Sequence, residues 1–407
     1  MTGADDTDAP RTVTDPTQGL ALLRGIRVID FSQALSGPYC TMMLGDLGAD
    51  VIKIESPSRG DDARHWGPPF VGEDAAYFIS VNRNKRSVAL DLKDPNDLDT
   101  ARRLVADADV VVQNWRPGTA ARLGLGPAEL TAGNPLLVYC SISGFGQDAP
   151  PRAGYDQIVQ GTSGLMSLTG AVGQPTKWGV PAGDIAAGIF ATTAILAALF
   201  ERTSSGRGRV VDIAMQDCLV SMLTHQAARY LATGVLPPKD HNGHSAIAPY
   251  GLFETADGFV NICVGNDAQF ARLCAAMDLT DVLGGERFRT NPQRLAHQSQ
   301  LLDVLGSALR DIPTADVIGR LEAAGVPVGA VRDLAEVFAD PAVRDRGMVL
   351  PIDFAGAGRV EVANTPWQFD GRPSGITRNP PRLGEHTADV IAEIRATVHD
   401  RPQRGLA

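Results

Sequence analysis

The chain is poor in the residues that hold metals. Its five cysteines (Cys40, Cys140, Cys218, Cys263, Cys274) are odd in number and lack any Cys-x-x-Cys spacing, so neither a disulfide framework nor a thiolate zinc site is expected. Most lie in apolar stretches such as Val138-Tyr-Cys140-Ser-Ile142 and read as buried free thiols of a reducing compartment. The seven histidines show no His-Glu-x-x-His spacing, and no metal is expected. No Gly-x-Ser-x-Gly elbow and no Walker loop occurs, which argues against a hydrolase triad and an NTPase. No Gly-x-Gly-x-x-Gly follows the first strand, so a dinucleotide is not indicated. No run approaches the ~18 apolar residues of a bilayer span. Residues 1–20, rich in Thr, Asp and Pro, have no apolar core and read as a disordered tail rather than a signal peptide. The expectation is a cytoplasmic protein that spans no membrane. A formal net charge of -10 argues against nucleic acid as a partner, while leaving room for a small anion held by a few basic groups.

What is present is a composition with 44% hydrophobic and 21% charged residues over 407 positions, that of a soluble globular protein with two or three domains. Ile26-Arg-Val-Ile-Asp-Phe31 reads as a buried strand, Ser36-Gly37-Pro38 as a break, residues 39–47 as a helix and 49–55 as a second strand. Further strands are expected at 87–92, 110–112, 136–142 and 210–214, with helices at about 96–107, 184–203 and 218–233. Strands alternating with helices predict an open α/β sheet of nucleotide-binding type, with ligands beyond the carboxyl ends of its strands. The helix from Asp184 is lined with Ala186, Ala187, Gly188, Ala191, Ala194, Ala197 and Ala198, small residues suited to close packing. After Gly234 the character changes, with a hairpin expected across Asp257-Gly258. The expected organisation is a large α/β domain at 21–234, a smaller α+β domain at 235–330, and a segment 331–407 that returns to the large domain.

One acid stands out. Asp184 sits in Gly179-Val-Pro-Ala-Gly183-Asp184-Ile-Ala-Ala-Gly188, at the expected start of a helix. As an N-cap it would accept bonds from first-turn amides. The same placement suits a covalent nucleophile, because helix-end amides favour an anion and a preceding glycine admits a bulky reactant.

Arg27-Val-Ile-Asp-Phe31, Ser36-Gly37-Pro38, Gly45-Asp-Leu-Gly48-Ala-Asp-Val-Ile-Lys-Ile-Glu55, Asn82-Arg-Asn-Lys-Arg-Ser87, Leu90-Asp-Leu-Lys93, Asn114-Trp-Arg-Pro-Gly118, Gly154-Tyr-Asp156 and Gly183-Asp184 follow one another along the chain. In these the sequence resembles the family III CoA transferases of CaiB/BaiF type, over about residues 24–392. Trp66-Gly-Pro-Pro-Phe-Val-Gly72, Pro249-Tyr250 and Gly265-Asn-Asp-Ala-Gln-Phe270 extend the likeness to the succinyl-CoA:glutarate branch of that family.

The resemblance implies an interlocked, ring-like homodimer whose large domain is made from both chain ends. It implies a CoA thioester as substrate, no permanently bound cofactor, and a small carboxylic or dicarboxylic acid as the other partner. Asp184 matches the family nucleophile, which passes through an acyl anhydride and an aspartyl-CoA thioester. Leu35, Ser36, Leu90, Lys93, Asn114 and Arg122 match positions that hold CoA. Asp156 matches a second acid, and His244 and Ser245 fall in the family's active-site loop. Ser56 stands where some members carry an arginine, for which Arg59 or Arg64 could substitute. Arg152, Lys177 and Arg229 are candidates to pair a distal carboxylate. Two other readings stay open. An acyl-CoA racemase of this family carries a histidine where Tyr155 stands, and a phenol with pKa about 10 is a poor base at neutral pH. A non-catalytic CoA-binding scaffold would keep Lys93 and Arg122 but have no need of Asp184 beside Gly183.

Overall fold

The computed structural model describes the chain except residues 1–18, 151, 172, 238–241, 245, 355–357 and 400–407. Nearly all of the expected N-terminal tail, and Ser245 of the expected active-site loop, therefore lie outside the described residues. The chain forms two compact units. One takes residues up to 165, then 178–223 and those from 341 on; the other takes 166–177 and 224–340.

Six parallel strands organise the first unit: β1 Arg27–Asp30, β2 Asp50–Glu55, β3 Lys85–Ala89, β4 Val110–Gln113, β5 Val138–Ser143 and β6 Val210–Ala214. Their order is β3-β2-β1-β4-β5-β6. Valine and isoleucine dominate because both faces are covered, so successive residues of a strand must both be apolar. Val28, Val110, Val112, Val138 and Ile142 enter one core, and their neighbours Ile29, Ile52, Val111 and Tyr139 enter another on the opposite face. The mixed α/β class with a large parallel sheet is the one that the strand pattern called for.

Helix α1 (Ser36–Asp46) joins β1 to β2, and α2 (Pro95–Ala106) joins β3 to β4. Asp94 caps α2 by accepting from the Asn96 and Asp97 amides, with Pro95 pre-set at the first helical position. The chain continues through α3 (Asp156–Thr162), α4 (Ala182–Ser205) and α5 (Met215–Met222). Between α1 and α4 the backbones come close: a Cβ on Gly188 would lie 2.9 Å from the Ser36 carbonyl oxygen. The small-residue face of α4 is thus a packing surface, and Ala187, Ala191 and Ile195 are fully buried on it.

Three expectations need correction. Helix α4 is 24 residues long and holds an 18-residue window of mean hydropathy 1.8, so among the described residues one helix is long and apolar enough to cross a membrane. Half of that window is buried in the chain's own core, and alanine and glycine rather than bulky side chains supply much of the apolar character. The helix expected at 218–233 is two helices, α5 and α6 (Thr224–Thr233), because Thr224 takes a left-handed φ of 41° that no helix continues through. Strand β3 begins at Lys85, since Lys85 and Arg86 are buried with partners rather than solvated.

The second unit carries an antiparallel sheet of β7 Tyr250–Glu254, β8 Phe259–Cys263 and β9 Val328–Ala330, in the order β9-β8-β7. Its hairpin turns at Asp257-Gly258, where the Thr255 amide donates to the Gly258 carbonyl at 3.0 Å. Helices α7 (Asp267–Ala276), α8 (Gln298–Leu309) and α9 (Thr314–Ala323) cover Val260 and Ile262 with Leu273, Leu305 and Leu321. Helix α10 (Thr387–His399) belongs to the first unit, where Val390 is fully buried in the same core as Ile29 and Leu104.

Candidate active site

Parallel strands point their carboxyl ends to one edge of the sheet. Because the order runs outward from β1 on one side and from β4 on the other, adjacent connections diverge between them and leave a crevice. Asn114 directly follows β4, and Ser36 lies at the end of the loop after β1. The Asn114 side chain closes that crevice by pairing with the backbone of Gln33, donating to its carbonyl at 2.7 Å and accepting from its amide at 2.9 Å. It also reaches the Ser36 hydroxyl at 3.4 Å.

Asp184 enters the same place from α4. The helix begins at Ala182, with Pro181 in the capping position and no side-chain cap bond. Asp184 is therefore the third helical residue and not the cap that its flanking sequence suggested. Its half-buried carboxyl is pushed up to about 7. Burial is the main cause and the Asp156 carboxylate adds to it, against hydrogen bonds from the Ser36 hydroxyl and backbone amide. A carboxylic acid with that pKa is partly ionised at neutral pH, and once ionised it is poorly solvated. Those are properties of a nucleophile more than of a surface charge.

Asp156 opens α3 and has its own partners. One oxygen accepts from the Gly183 amide at 2.7 Å and the other from the Gln160 side chain at 2.7 Å. This bond ties α3 to the first turn of α4, and it requires glycine: a Cβ at 183 would lie 2.7 Å from a Val159 methyl and 3.1 Å from the Asp156 oxygen. Tyr155, next to it, is 66% exposed.

Tyr77 was not among the residues that the sequence singled out. Its phenol is raised to about 12, first by burial and then by the charges of Asp184, Asp156 and Asp61. It packs against the buried cluster of Leu35, Met42 and Val81 and takes the Trp66 ring edge-on at 5.2 Å. No spacing in the sequence points to it, because its neighbours come from three separate segments.

Ser36, Asn114, Asp156 and Asp184 are thus brought together, with Leu35 buried behind them. Leu90 and Lys93 follow β3 and share the carboxyl edge of the sheet, but make their contacts elsewhere. The buried Leu90 donates its amide to Glu55, and the exposed Lys93 donates its amide to the Asp91 carboxylate. Arg122, also exposed, donates to the Thr119 hydroxyl at 2.9 Å. Arg64 has no free donor edge for an adenine. Glu55 takes two of its nitrogens, Asp74 a third, and the side chain is 3% exposed. Arg59 remains on the surface, as does Ser56. Arg152 lies over the Phe145 ring. In the second unit, His244 packs against Tyr250 at 5.2 Å and stacks at 6.0 Å on His225, and its Nδ1 accepts from the Ala246 amide. Among the described residues no three His, Cys, Asp or Glu side chains are grouped to hold a metal ion.

The profile described as CoA-transferase family III matches residues 23–387. The chain is 42% identical over 391 residues to a succinate–glutarate CoA-transferase of Agrobacterium fabrum, covering 94% of this chain and 98% of that protein. To the succinyl-CoA:glutarate CoA-transferase of Homo sapiens it is 37% identical over 375 residues, or 91% of this chain and 86% of the other. A crystal structure of a CaiB/BaiF family protein from Brucella suis superposes with a TM-score of 0.83 at 40% identity, over 93% of this chain and all of that one.

Proposed function

This chain belongs to CoA-transferase family III and is a CoA-transferase, and we propose that it moves CoA from succinyl-CoA to a small dicarboxylate through covalent intermediates on Asp184. The observation that carries the proposal is the half-buried carboxyl of Asp184, raised to about 7 and facing the Ser36 donors at the carboxyl edge of the sheet.

The ionised carboxylate attacks the thioester carbonyl. The C–S bond breaks, the CoA thiolate leaves, and Asp184 holds the acyl group as a mixed anhydride. The thiolate then attacks the aspartyl carbonyl, freeing the donor acid and leaving an aspartyl-CoA thioester. The acceptor carboxylate attacks that thioester to form its own anhydride with Asp184, again releasing thiolate. In the last step the thiolate attacks the acceptor's acyl carbon, giving the new acyl-CoA and the original carboxylate. Each step exchanges one acyl bond for another, so no net proton is consumed. Desolvation serves this chemistry, since water reaching either intermediate would hydrolyse it.

Leu90, Lys93, Asn114 and Arg122 are proposed to hold the CoA moiety, the two cations through its phosphates. His244 and Ser245 are proposed to belong to a loop that shields the reacting groups. The choice of a dicarboxylate acceptor rests on the names of the two relatives. A homodimer is proposed because α4 leaves Ile189, Phe190 and Phe200 exposed by 46%, 39% and 80%. A cytoplasmic location is proposed with it, as half of the apolar window of α4 is buried in the chain's own core. Isomerisation is disfavoured, since Tyr155 stands where the racemases carry a histidine and Asp156 is engaged by the Gly183 amide.

The test is chemical trapping. Incubation with succinyl-CoA and then hydroxylamine should leave a hydroxamate on the peptide carrying Asp184, read by mass. The Asp184→Ala variant should lose transfer and keep CoA affinity within about tenfold. An unmodified peptide in an enzyme that turns over would remove the proposal.

A further inference from the structure

Beneath the loop from β1 to α1 lie four fully buried charged side chains: Asp30, Lys53, Asp61 and Lys85. They form two ion pairs, Lys53 with Asp61 at 2.8 Å and Lys85 with Asp30 at 3.2 Å. Burial opposes the charge on Asp30, yet Lys85 and Lys53 outweigh it and hold that carboxyl at about 2. Buried pairs of this kind seldom add stability that apolar side chains of similar size could not supply. Their retention calls for something apolar groups cannot do.

What they do is bond to the backbone of that loop and of the first turn of α1. Asp30 accepts from the Ser32 amide at 2.9 Å, and also from the Ser32 hydroxyl. Lys53 donates to the Ser32 carbonyl at 2.7 Å. Asp61 accepts from the Ala34 amide at 2.9 Å, and Lys85 donates to the Pro38 carbonyl at 2.9 Å. Ala34 sits at φ 66°, a left-handed conformation that a non-glycine residue keeps only when its surroundings impose it. The bond from its amide to Asp61 is the contact that does so. Two residues further on stands Ser36, which lies against α4 one turn past Asp184, where a Cβ on Gly188 would meet its carbonyl oxygen at 2.9 Å, and whose hydroxyl and amide favour the ionised Asp184 carboxyl.

We propose that Asp61, held by Lys53, is a positioning residue of the active site: it fixes the strained turn at Ala34 and so aims the Ser36 donors at the Asp184 carboxylate. The inference rests on Asp184 being the nucleophile. The charged and titratable groups that bear on that carboxyl are Asp156 and Tyr77, beside the Ser36 donors. Neither lies on the β1–α1 loop; the Asp61 charge also acts on Tyr77, but removing a negative charge there would lower the Asp184 midpoint, whereas weaker donation from Ser36 raises it.

The experiment compares wild type, Asp61→Asn, Ala34→Gly, Ser36→Ala and the double variant Asp61→Asn/Ser36→Ala. Each is assayed for kcat/KM from pH 5 to 9, with Asp184→Ala as the reference and thermal unfolding as the check on folding. Weaker donation from Ser36 disfavours the ionised carboxylate, so the midpoint of the profile moves upward. Asp61→Asn and Ser36→Ala should each raise it by about one unit, and Ala34→Gly by less. Most of the loss at pH 7 should be regained at pH 9. The double variant should shift by less than the sum of the two single changes, because both act through the same residue. Should Asp61→Asn fail to fold, Ala34→Gly decides, since glycine adopts the turn without strain. An unmoved midpoint with activity lowered equally at all pH values, or shifts that add in the double variant, would overturn the positioning role. Undiminished turnover in Asp184→Ala overturns the premise instead, and with it this inference.

Discussion

Replacing Asp184 by Asn should make the protein more stable, and only at neutral or alkaline pH. The carboxyl titrates near 3.8 in an unfolded chain and at about 7 in the fold. The folded state therefore binds that proton more tightly. Wild-type stability is full below pH 4, falls as pH rises from 4 to 7, and is flat beyond. At about 1.4 kcal/mol per pH unit, the ceiling on this loss is about 4 kcal/mol. The side chain is only half-buried, so about 1–2 kcal/mol is the expected gain for Asp184→Asn at pH 8, relative to its effect at pH 4.5. All four tryptophans (Trp66, Trp115, Trp178, Trp367) fall in the unit that carries Asp184. Urea unfolding followed by tryptophan fluorescence at the two pH values thus reads that unit alone. An Asn variant whose advantage does not grow with pH would show that the carboxylate is well solvated, and the case for a desolvated nucleophile would fall.

The activity should move the opposite way. As the ionised form is the attacking one, kcat/KM should climb through about pH 7 and level off by pH 9; a profile flat from 5 to 9 would contradict the raised carboxyl. Gly188→Ala places a methyl 2.9 Å from the Ser36 carbonyl oxygen. Overpacking of about 1–3 kcal/mol should exceed the ~1 kcal/mol gained in helix propensity, and kcat should drop with Ser36 displaced; unfolding curves and steady-state rates check both. Arg64→Ala strands Glu55 and Asp74 in the core and should destabilise by about 3–5 kcal/mol, a loss measurable by the same fluorescence transition.

The sheet was readable because Val110-Val-Val112 and Val210-Val-Asp-Ile-Ala214 are short β-branched runs set between helical spacings. What escaped was everything fixed by partners far along the chain. Lys85 looks like a strand-breaking charge until Asp30, 55 residues earlier, is seen beside it. Ser36-Gly37-Pro38 reads as a break, although serine, glycine and proline are acceptable in a first helical turn and begin α1. The start of α4 was missed by two residues, and that moved Asp184 from the helix cap to the interior of the first turn. Asp184 stood out from its flanking glycine and helix start, and family likeness nominated Ser36, Asn114 and Asp156 beside it. Their proximity follows from strand order, which no local window contains. Tyr77 had no signal of either kind.

The docking of α10 has a consequence for biosynthesis. Val390 fills the core that Ile29 and Leu104 line, and Glu393 pairs with Arg86 at 2.6 Å. A ribosome that has delivered β3 must translate roughly three hundred further codons before the matching helix emerges. Throughout that interval the part of the core that Val390 fills stays open, so production of this protein should be sensitive to the supply of chaperones that shield unfinished chains.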